Sequence, residues 1–331
     1  LNGLVSLLVD GGEKLLLLLL EFHFDGLRMD ALSNIIYWQG DKKRGVNRNA
    51  VEFIKHMNKS LKTMDLSIIL IAEDSTTIGK VTDSPDYGGL GFDYKWDMGW
   101  MNDTLSYFQI HPYDRMEKYH KLTFSMMYFY NEQFMLPLSH DEVVHGKATI
   151  LQKMNGDYDM KFPQARALYL YMYTHPGKKL SFMGNEFGQL REWDEEKEQD
   201  WFMLKYPLHD SFYRFIRELN HLYLTHSALF ERDYTEDGFK WLDCHRESER
   251  IYAYERYSSS EKILVILNLS DSKQTYHLEN YGAKELELLI SSDNEIYSGS
   301  TNYDDKSILV PEDDAFDIEL NAFSGIMFWV K

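Results

Sequence analysis

The chain has 331 residues, of which 44% are hydrophobic and 27% charged, a composition typical of a folded globular protein with about two domains. Its 35 Lys and Arg residues against 53 Asp and Glu residues give a formal net charge of −18. This charge repels phosphate backbones and anionic lipid head groups, so nucleic acids and membrane surfaces are poor candidate partners. The single cysteine, Cys244, excludes an internal disulfide and a thiolate zinc site, which favours a cytoplasmic protein.

The first twenty residues carry an apolar run but no membrane signal. The six leucines at residues 15–20 are far fewer than the roughly 18 apolar residues that span a bilayer, and no small-residue cleavage site follows them. We expect this run to be the end of a buried helix that leads into a strand. Residues 1–14 lack an initiating Met and a clear periodicity, so we expect a chain cut from a longer one.

Short apolar runs typical of strands alternate with amphipathic helical segments in the first 183 residues. The expected strands are residues 22–27, 66–72, 92–96, 134–138 and 179–183. The expected helices are residues 49–64, 163–175 and, beyond the last strand, 210–229. This alternation predicts an α/β fold built from βαβ units around a parallel sheet.

The pattern changes after residue 232. Short alternating runs, such as residues 251–257 and 262–269, are typical of antiparallel strands. Residues 235–331 carry 20 acids and 9 bases, so this part accounts for −11 of the net charge. We therefore predict two domains: an α/β domain over residues 1–232 and an acidic, all-β antiparallel sandwich over residues 233–331.

Acidic residues follow three of the expected parallel strands: Asp30 after the first, Glu73 after the second and Asp141 after the fourth. In a parallel α/β barrel the functional side chains lie at the carboxyl ends of the strands, so these carboxylates are expected at one rim. Glycosidic bond chemistry needs two facing carboxyl groups, one ionised and one protonated. Arg28, two residues before Asp30, would share its face of the strand and keep it charged. From this spacing alone, an ordinary surface Arg–Asp pair is the somewhat better interpretation, because short acidic strand ends are common.

Longer stretches around these residues resemble a known family. DGLRMDA, ILIAEDS and LPLSHDE, in this order, resemble three of the four short signatures of the α-amylase superfamily of glycoside hydrolases and transglycosidases. Residues 95–102 (KWDMGWMN) and 182–189 (FMGNEFGQ) resemble the glycogen branching enzymes, the 1,4-α-glucan 6-glucosyltransferases. The resemblance extends from about residue 21 to the C-terminus. It implies a (β/α)8 TIM barrel followed by a β-domain, an α-glucan as substrate, and neither a cofactor nor a metal.

The resemblance also implies roles for individual residues. Asp30 would be the nucleophile, Glu73 the acid/base and Asp141 a third carboxylate that holds substrate hydroxyls, with Arg28 and His140 as polar supports. The remaining signature, which precedes the nucleophile strand in the family, has no counterpart here. We therefore expect only strands four to eight of the barrel to be present. Such an open sheet exposes apolar strand edges, so we expect the chain to be prone to aggregation and at best weakly active.

Aromatic residues raise further expectations. Trp100 is expected on a loop beyond a strand end, where it could contact a glucan, whereas the tyrosines of residues 169–173 are expected in the core. Residues 193–198 are expected to form a solvated loop.

Other types of site have weak support in the sequence. His140 and His145 are five residues apart, not the four that a zinc-binding helix needs. Neither a G-x-S-x-G nucleophile elbow nor an EF-hand calcium loop is present.

The assignment to branching depends on residues 95–102 and 182–189 alone. An amylase-type hydrolase and a glucan-binding fragment without catalysis therefore remain open. The oligomeric state is not predicted.

Overall fold

The structure is a computed structural model that describes residues 21–64, 67–303, 307–312 and 314–331. The helix end expected at residues 15–20 lies outside the described residues. The chain divides into two compact units. The first contains the described residues up to Met98 together with Phe129–Met135, and the second contains Gly99–Tyr128 and Leu136–Lys331.

The first unit is built on parallel strands. They are β1 (Gly26–Met29), β2 (Ile69–Ala72), β3 (Tyr94–Trp96) and the beginning of β4 (Phe134–Leu138). These strands lie side by side in chain order, with Arg28 opposite Ile71 and Lys95 opposite Phe134. The predicted parallel arrangement is confirmed, although β1 begins four residues later than the expected strand at residues 22–27.

Two helices cover one face of these strands. They are α1 (Ser33–Ile36) and α2 (Arg48–Met64), the second of which matches the expected helix to within one residue. Ile54, Asn58 and Leu61 are buried at helical spacing. Leu70 and Ala72 of β2 belong to the same apolar core. Alternate residues of the strands, among them Arg28, therefore point away from the helices.

The second unit begins with helices and the remainder of the parallel sheet. The elements are α3 (Met98–Gln109), whose first residue belongs to the first unit, α4 (Ile150–Lys153), α5 (Tyr158–Thr174), β5 (Lys178–Ser181) and α6 (Pro207–Thr225). β5 lies beside β4, and Phe182 N donates to Leu138 O at 3.0 Å. α5 begins five residues before the expected helix because Asp157 caps it, accepting a hydrogen bond from Met160 N at 3.1 Å. The tyrosines at positions 169, 171 and 173 are buried, as expected.

Antiparallel strands form the rest of the second unit. They are β6 (Phe239–Arg246), β7 (Ile251–Tyr257), β8 (Lys262–Asn268), β9 (Gln274–Glu279), β10 (Leu286–Ser291), β11 (Ile308–Leu309), β12 (Ala315–Leu320) and β13 (Ser324–Val330). One sheet has the order β11-β10-β13-β8-β7-β6, and β12 pairs with β9 in another. Side chains of both sheets, including Ile266 and Phe316, share one apolar core. This confirms the predicted antiparallel sandwich. Six residues separate the predicted domain boundary after residue 232 from Phe239, the first residue of β6. This boundary stays a prediction.

Among the described residues, no helix is both long enough and apolar enough to cross a membrane.

Candidate active site

Arg28 joins the two carboxylates that the sequence predicts as nucleophile and acid/base. Its Nη1 atom donates to Asp30 Oδ1 at 2.9 Å and also to Glu73 Oε2. Because one nitrogen lies within hydrogen-bond distance of both oxygens, the two carboxylates are within about 6 Å of each other. The structure thus brings Arg28, Asp30 and Glu73 together, and the contact is more than an isolated surface pair.

The register of β1 and β2 explains why Asp30 and Glu73 lie close together. Asp30 directly follows β1 and Glu73 directly follows β2, and these two strands are parallel neighbours in register. Glu73 N donates to Met29 O at 3.0 Å, which fixes the two strand ends against each other. Solvent reaches the three side chains unequally: Asp30 is 71% exposed, Arg28 28% and Glu73 19%. A substrate can therefore reach Asp30 directly.

The Trp96 ring packs against the Arg28 side chain. The guanidinium carbon lies 4.6 Å from the ring centroid of Trp96, a buried residue at the end of β3. This is a cation–π contact, and it leaves the edge of the guanidinium free to bind carboxylates. Trp96 therefore fixes the plane in which Arg28 presents its N–H groups.

A buried ion pair involves Asp74, the residue that follows Glu73. Lys95 Nζ is 2.9 Å from Asp74 Oδ2, and both side chains are buried. Thr76 supports this pair, because its hydroxyl donates to Asp74 Oδ2 at 2.9 Å and its carbonyl accepts from Lys95 Nζ at 3.4 Å. The pair fixes the backbone that follows β2 and so positions Glu73. Sequence reasoning did not assign a role to Asp74 or Lys95, although Asp74 is adjacent to Glu73.

In the second unit, Asp141 lies in a short 3-10 helix, His140–Glu142, that directly follows β4. Ser139 caps this helix by accepting a hydrogen bond from Asp141 N at 3.3 Å. His140 Nε2 is 3.5 Å from Asp141 Oδ1, so the two predicted site residues contact each other. That Asp141 faces Asp30 and Glu73 stays a prediction.

The loop after Asp141 is held by charged side chains from outside the loop. Glu192 accepts from Gly146 N at 2.8 Å and Ala148 N at 2.7 Å, and these bonds lower the pKa of its carboxyl group. Lys153 Nζ donates to the carbonyls of Glu142, Lys147 and Ala148. Burial lowers the pKa of Lys153.

The backbone conformation explains why this loop needs such support. His145, Gly146 and Ala148 all have positive φ, of 59°, 78° and 65°. For the two residues with side chains this left-handed conformation is unfavourable, and surrounding contacts must stabilise it. Glu192 and Lys153 supply them. Sequence reasoning missed both, since the bonds end on backbone atoms, and those of Glu192 connect positions 46 and 44 residues apart.

Aromatic side chains surround His140. Its ring lies 5.8 Å from Phe182 and 6.0 Å from Trp193, and these two rings are 5.2 Å apart. Trp193 is half-buried, whereas residues 195–198 are exposed. The expectation of a solvated loop is therefore correct for residues 195–198 but wrong for Trp193, because its ring packs against His140 and Phe182.

Trp100 does not lie where the sequence predicted it. It belongs to α3, not to a loop, and is 1% exposed. Its ring stacks on Tyr171 at 6.1 Å and contacts His175 at 6.2 Å. A ring buried in this way offers no face to a sugar, so Trp100 is removed from the predicted substrate contacts.

Comparison with known proteins relates this geometry to a family. The family described as "Alpha amylase, C-terminal all-beta domain" matches residues 241–331. The 1,4-alpha-glucan branching enzyme of Clostridium perfringens (strain 13 / Type A) is 44% identical over 294 residues, which cover 85% of this chain and 44% of that enzyme. That of Geobacillus stearothermophilus is 42% identical over 295 residues, with coverages of 88% and 46%. Over most of its length the chain is homologous to 1,4-α-glucan branching enzymes.

The chain spans about half the length of the curated relatives it matches. Solved structures support the fold. The α-amylase of Geobacillus thermoleovorans, solved with acarbose, superposes with a TM-score of 0.65 at 15% identity, covering 98% of this chain and 63% of that one. The α-amylase of H. orenii gives 0.63 at 14% identity, with coverages of 98% and 64%. The parallel strands are thus part of an α-amylase-type barrel, followed by the β-domain.

Proposed function

We propose that this protein takes part in 1,4-α-glucan branching: it cleaves an α-1,4-linked glucan through a covalent glucosyl-enzyme and transfers the cleaved chain to a 6-hydroxyl, which forms an α-1,6 branch. The names of the curated relatives support this reaction. The observation that carries the proposal is the contact of Asp30 and Glu73 with one nitrogen of Arg28. Carboxyl groups this close together suit a retaining mechanism, which needs a separation of about 5–5.5 Å.

In the first step Asp30 attacks the anomeric carbon while Glu73 protonates the departing glycosidic oxygen. The bond between the two sugars breaks and a glucosyl ester with Asp30 forms. Arg28 stabilises Asp30 in the ionised form that attack requires. Glu73 must carry a proton at this moment, and a guanidinium opposes that state. We therefore expect the Arg28–Glu73 contact to open when a glucan enters.

In the second step Glu73, now a carboxylate, takes the proton from the 6-hydroxyl of an acceptor glucan, and the oxygen attacks the glucosyl ester. Asp30 leaves as a carboxylate and the configuration at the anomeric carbon is retained. Asp141 would hold hydroxyls of the reacting sugar, and His140 would support it. If water replaces the acceptor, the same residues hydrolyse the glucan.

The substrate class follows from the same proposal. An α-glucan such as glycogen or amylose is the partner that this chemistry needs. The chain has one thiol, Cys244, in a half-buried position, which suits the reducing cytoplasm that we propose as its location.

The experiment uses the chain in two contexts, since it spans about half of its relatives' length. The first sample is the 331-residue chain. The second is a hybrid in which this chain replaces the matching 294-residue segment of the Clostridium perfringens enzyme. Each is incubated with amylose, and the products are examined by NMR for α-1,6 linkages and by a reducing-sugar assay.

New α-1,6 linkages without a matching rise in reducing ends are expected from the hybrid, and none from its Asp30→Asn variant. Shorter linear chains with new reducing ends would indicate a hydrolase instead. A folded hybrid that binds glucan but changes neither measurement would favour the glucan-binding alternative.

A further inference from the structure

A group of potential metal ligands lies in the second unit, on segments that are not part of the candidate active site. His120 belongs to a 3-10 helix, Pro112–Lys121, whereas His245 lies in β6 and Glu247 in the turn between β6 and β7. One ligand atom from each lies within 4.8 Å of the other two. His120 Nε2 is 3.2 Å and His245 Nδ1 is 4.0 Å from Glu247 Oε1.

We propose that His120, His245 and Glu247 bind a zinc ion. Two imidazoles and one carboxylate are a donor set that Zn²⁺ prefers, with water as the fourth ligand. Bonds of about 2.0–2.2 Å to a tetrahedral ion put neighbouring ligand atoms about 3.3–3.6 Å apart. The shortest distance in the group, 3.2 Å between His120 Nε2 and Glu247 Oε1, is close to this range, and rotation of the exposed His245 side chain can shorten the others.

The position of His120 is fixed by buried contacts of the residue before it. Tyr119 and Tyr252 stack with ring centroids 4.1 Å apart. The Tyr119 hydroxyl donates to Ile251 O at 2.5 Å, and the Tyr252 hydroxyl donates to Tyr119 O at 2.9 Å. These bonds attach the segment that carries His120 to β7, the neighbour of β6. The ligands therefore come from elements already held side by side, which lowers the entropic cost of binding.

The orientation of the His120 imidazole is also set. His120 Nδ1 is 3.1 Å from the hydroxyl of Thr123, so that Nε2 is left to face Glu247. On the other side, the ladder between β6 and β7 shifts register between Asp243 and Arg246. His245 N donates to Asp243 Oδ1 at 3.3 Å within this irregularity. Such a bulge interrupts the regular alternation of side chains along a strand. Here the side chains of His245 and Glu247 both lie beside His120.

Nearby charges leave Glu247 available to a cation. The Arg246 guanidinium is paired with the carboxylates of Asp243, at 3.5 Å, and of Glu249, at 2.8 Å. Lys121, next to His120, is bound by Asp103 at 2.7 Å. Glu247 thus has the two imidazoles, and no lysine or arginine, among its ion-pair partners in the described part of the chain. A dication between these three groups would link the Pro112–Lys121 segment to the β6–β7 hairpin.

The test is a zinc titration of the metal-free chain by calorimetry, together with the absorption spectrum of the Co²⁺-substituted protein. The variants are His245→Ala and Glu247→Gln, and the matched control is His221→Ala, which removes an exposed histidine of α6 outside the group. Thermal melts in EDTA check that all variants fold. Neither measurement depends on glucan chemistry.

We expect one zinc equivalent whose affinity falls at least tenfold in His245→Ala and in Glu247→Gln, and is unchanged in His221→Ala. Zinc should raise the melting temperature of the unaltered chain but not that of His245→Ala. Co²⁺ should give the intense visible bands of a four-coordinate site in the unaltered chain only. Equal binding by the unaltered chain and either ligand variant, or no binding at all, would overturn the proposal.

Discussion

At the scale of single residues, Arg28 is the group on which the proposed site depends. It contacts Asp30, Glu73 and the Trp96 ring at once, which only a planar guanidinium can do. In the hybrid described above, we expect Arg28→Lys to keep the fold but to lower branching activity about 100-fold, because the carboxylates lose their fixed geometry.

The matched control is Arg44→Lys, since Arg44 is exposed and lies 3.7 Å from Asp41 in a surface pair. Initial rates of α-1,6 bond formation and circular dichroism of both variants are the measurements. Equal rates for Arg28→Lys and Arg44→Lys would show that the Arg28 contacts are not needed.

The buried ring of His175 predicts that the stability of the fold depends on pH. The ring is buried, and burial lowers its pKa from 6.5 to about 3. Its Nε2 is 2.9 Å from Ser125 Oγ and its Nδ1 is 2.8 Å from Pro176 O, contacts that a neutral ring satisfies. The unfolded chain takes up a proton near pH 6.5, whereas the folded chain does so only near pH 3. This histidine therefore stabilises the fold fully above pH 6.5, and its contribution is lost as pH falls toward 3.

The check is urea unfolding of the unaltered chain and of His175→Asn across this pH window. The free energy of unfolding should fall with decreasing pH by about 1.4 kcal/mol per pH unit more in the unaltered chain than in the variant. Parallel pH profiles would contradict a neutral, buried His175.

The contacts that were predictable from the sequence join residues that are close in the chain or that follow adjacent parallel strands. Arg28 and Asp30 are two positions apart at a strand end, so their meeting follows from strand geometry. Trp100 was misplaced because a loop was expected beyond the strand end, whereas α3 begins at Met98. Asp97, directly before α3, is a residue type that often caps a helix, and it is the signal that could have shown the helix.

At the scale of elements, a buried ion pair connects β7 to the segment before β6. Arg256 Nη2 is 2.7 Å from Asp233 Oδ1, and both side chains are buried. Burial alone would raise the pKa of Asp233, but the charges of Arg256, Lys179 and Lys178 outweigh it and lower the pKa. Arg256 also donates to Thr174 O at the end of α5 at 2.7 Å.

We expect Asp233→Asn to lower the free energy of unfolding by about 3–5 kcal/mol, because it leaves Arg256 buried without its charge partner. The control is Asp210→Asn, which breaks an exposed pair with Arg214 at 3.0 Å and should cost at most about 1 kcal/mol. Chemical denaturation measures both. A similar small loss in the two variants would mean that water or another group replaces Asp233.

Most elements were predictable because their periodicity is local. β4 and β7 have the bounds that the sequence predicts, and α2 differs by one residue. α5 was predicted too short because Pro163 reads as a helix start, whereas the cap at Asp157 begins the helix a turn earlier. The support of the loop after Asp141 by Glu192 and Lys153 could not be predicted. Those bonds reach backbone atoms, which carry no sequence signal.

At the scale of the whole molecule, exposed apolar side chains in the first unit favour self-association. Phe22 is 61% exposed just before β1, and Ile69 of β2 is 42% exposed. Burying such side chains between two copies is favourable. We expect the 331-residue chain to associate with rising concentration in sedimentation velocity, and Ile69→Thr to shift it toward monomer.

The control for this expectation is Ile296→Thr, which changes an isolated isoleucine of the β-domain that is 50% exposed. A chain that stays monomeric over a hundredfold concentration range would contradict it.

We propose above that Asp30 forms the covalent bond to the sugar. The most direct test is to react the hybrid with a fluorinated, activated α-glucosyl donor that slows the second step, and to locate the added sugar by peptide mass spectrometry. We expect a single glucosyl ester on Asp30, and none in the Asp30→Asn variant. A sugar attached to any other residue, or a product of inverted configuration, would contradict the claim.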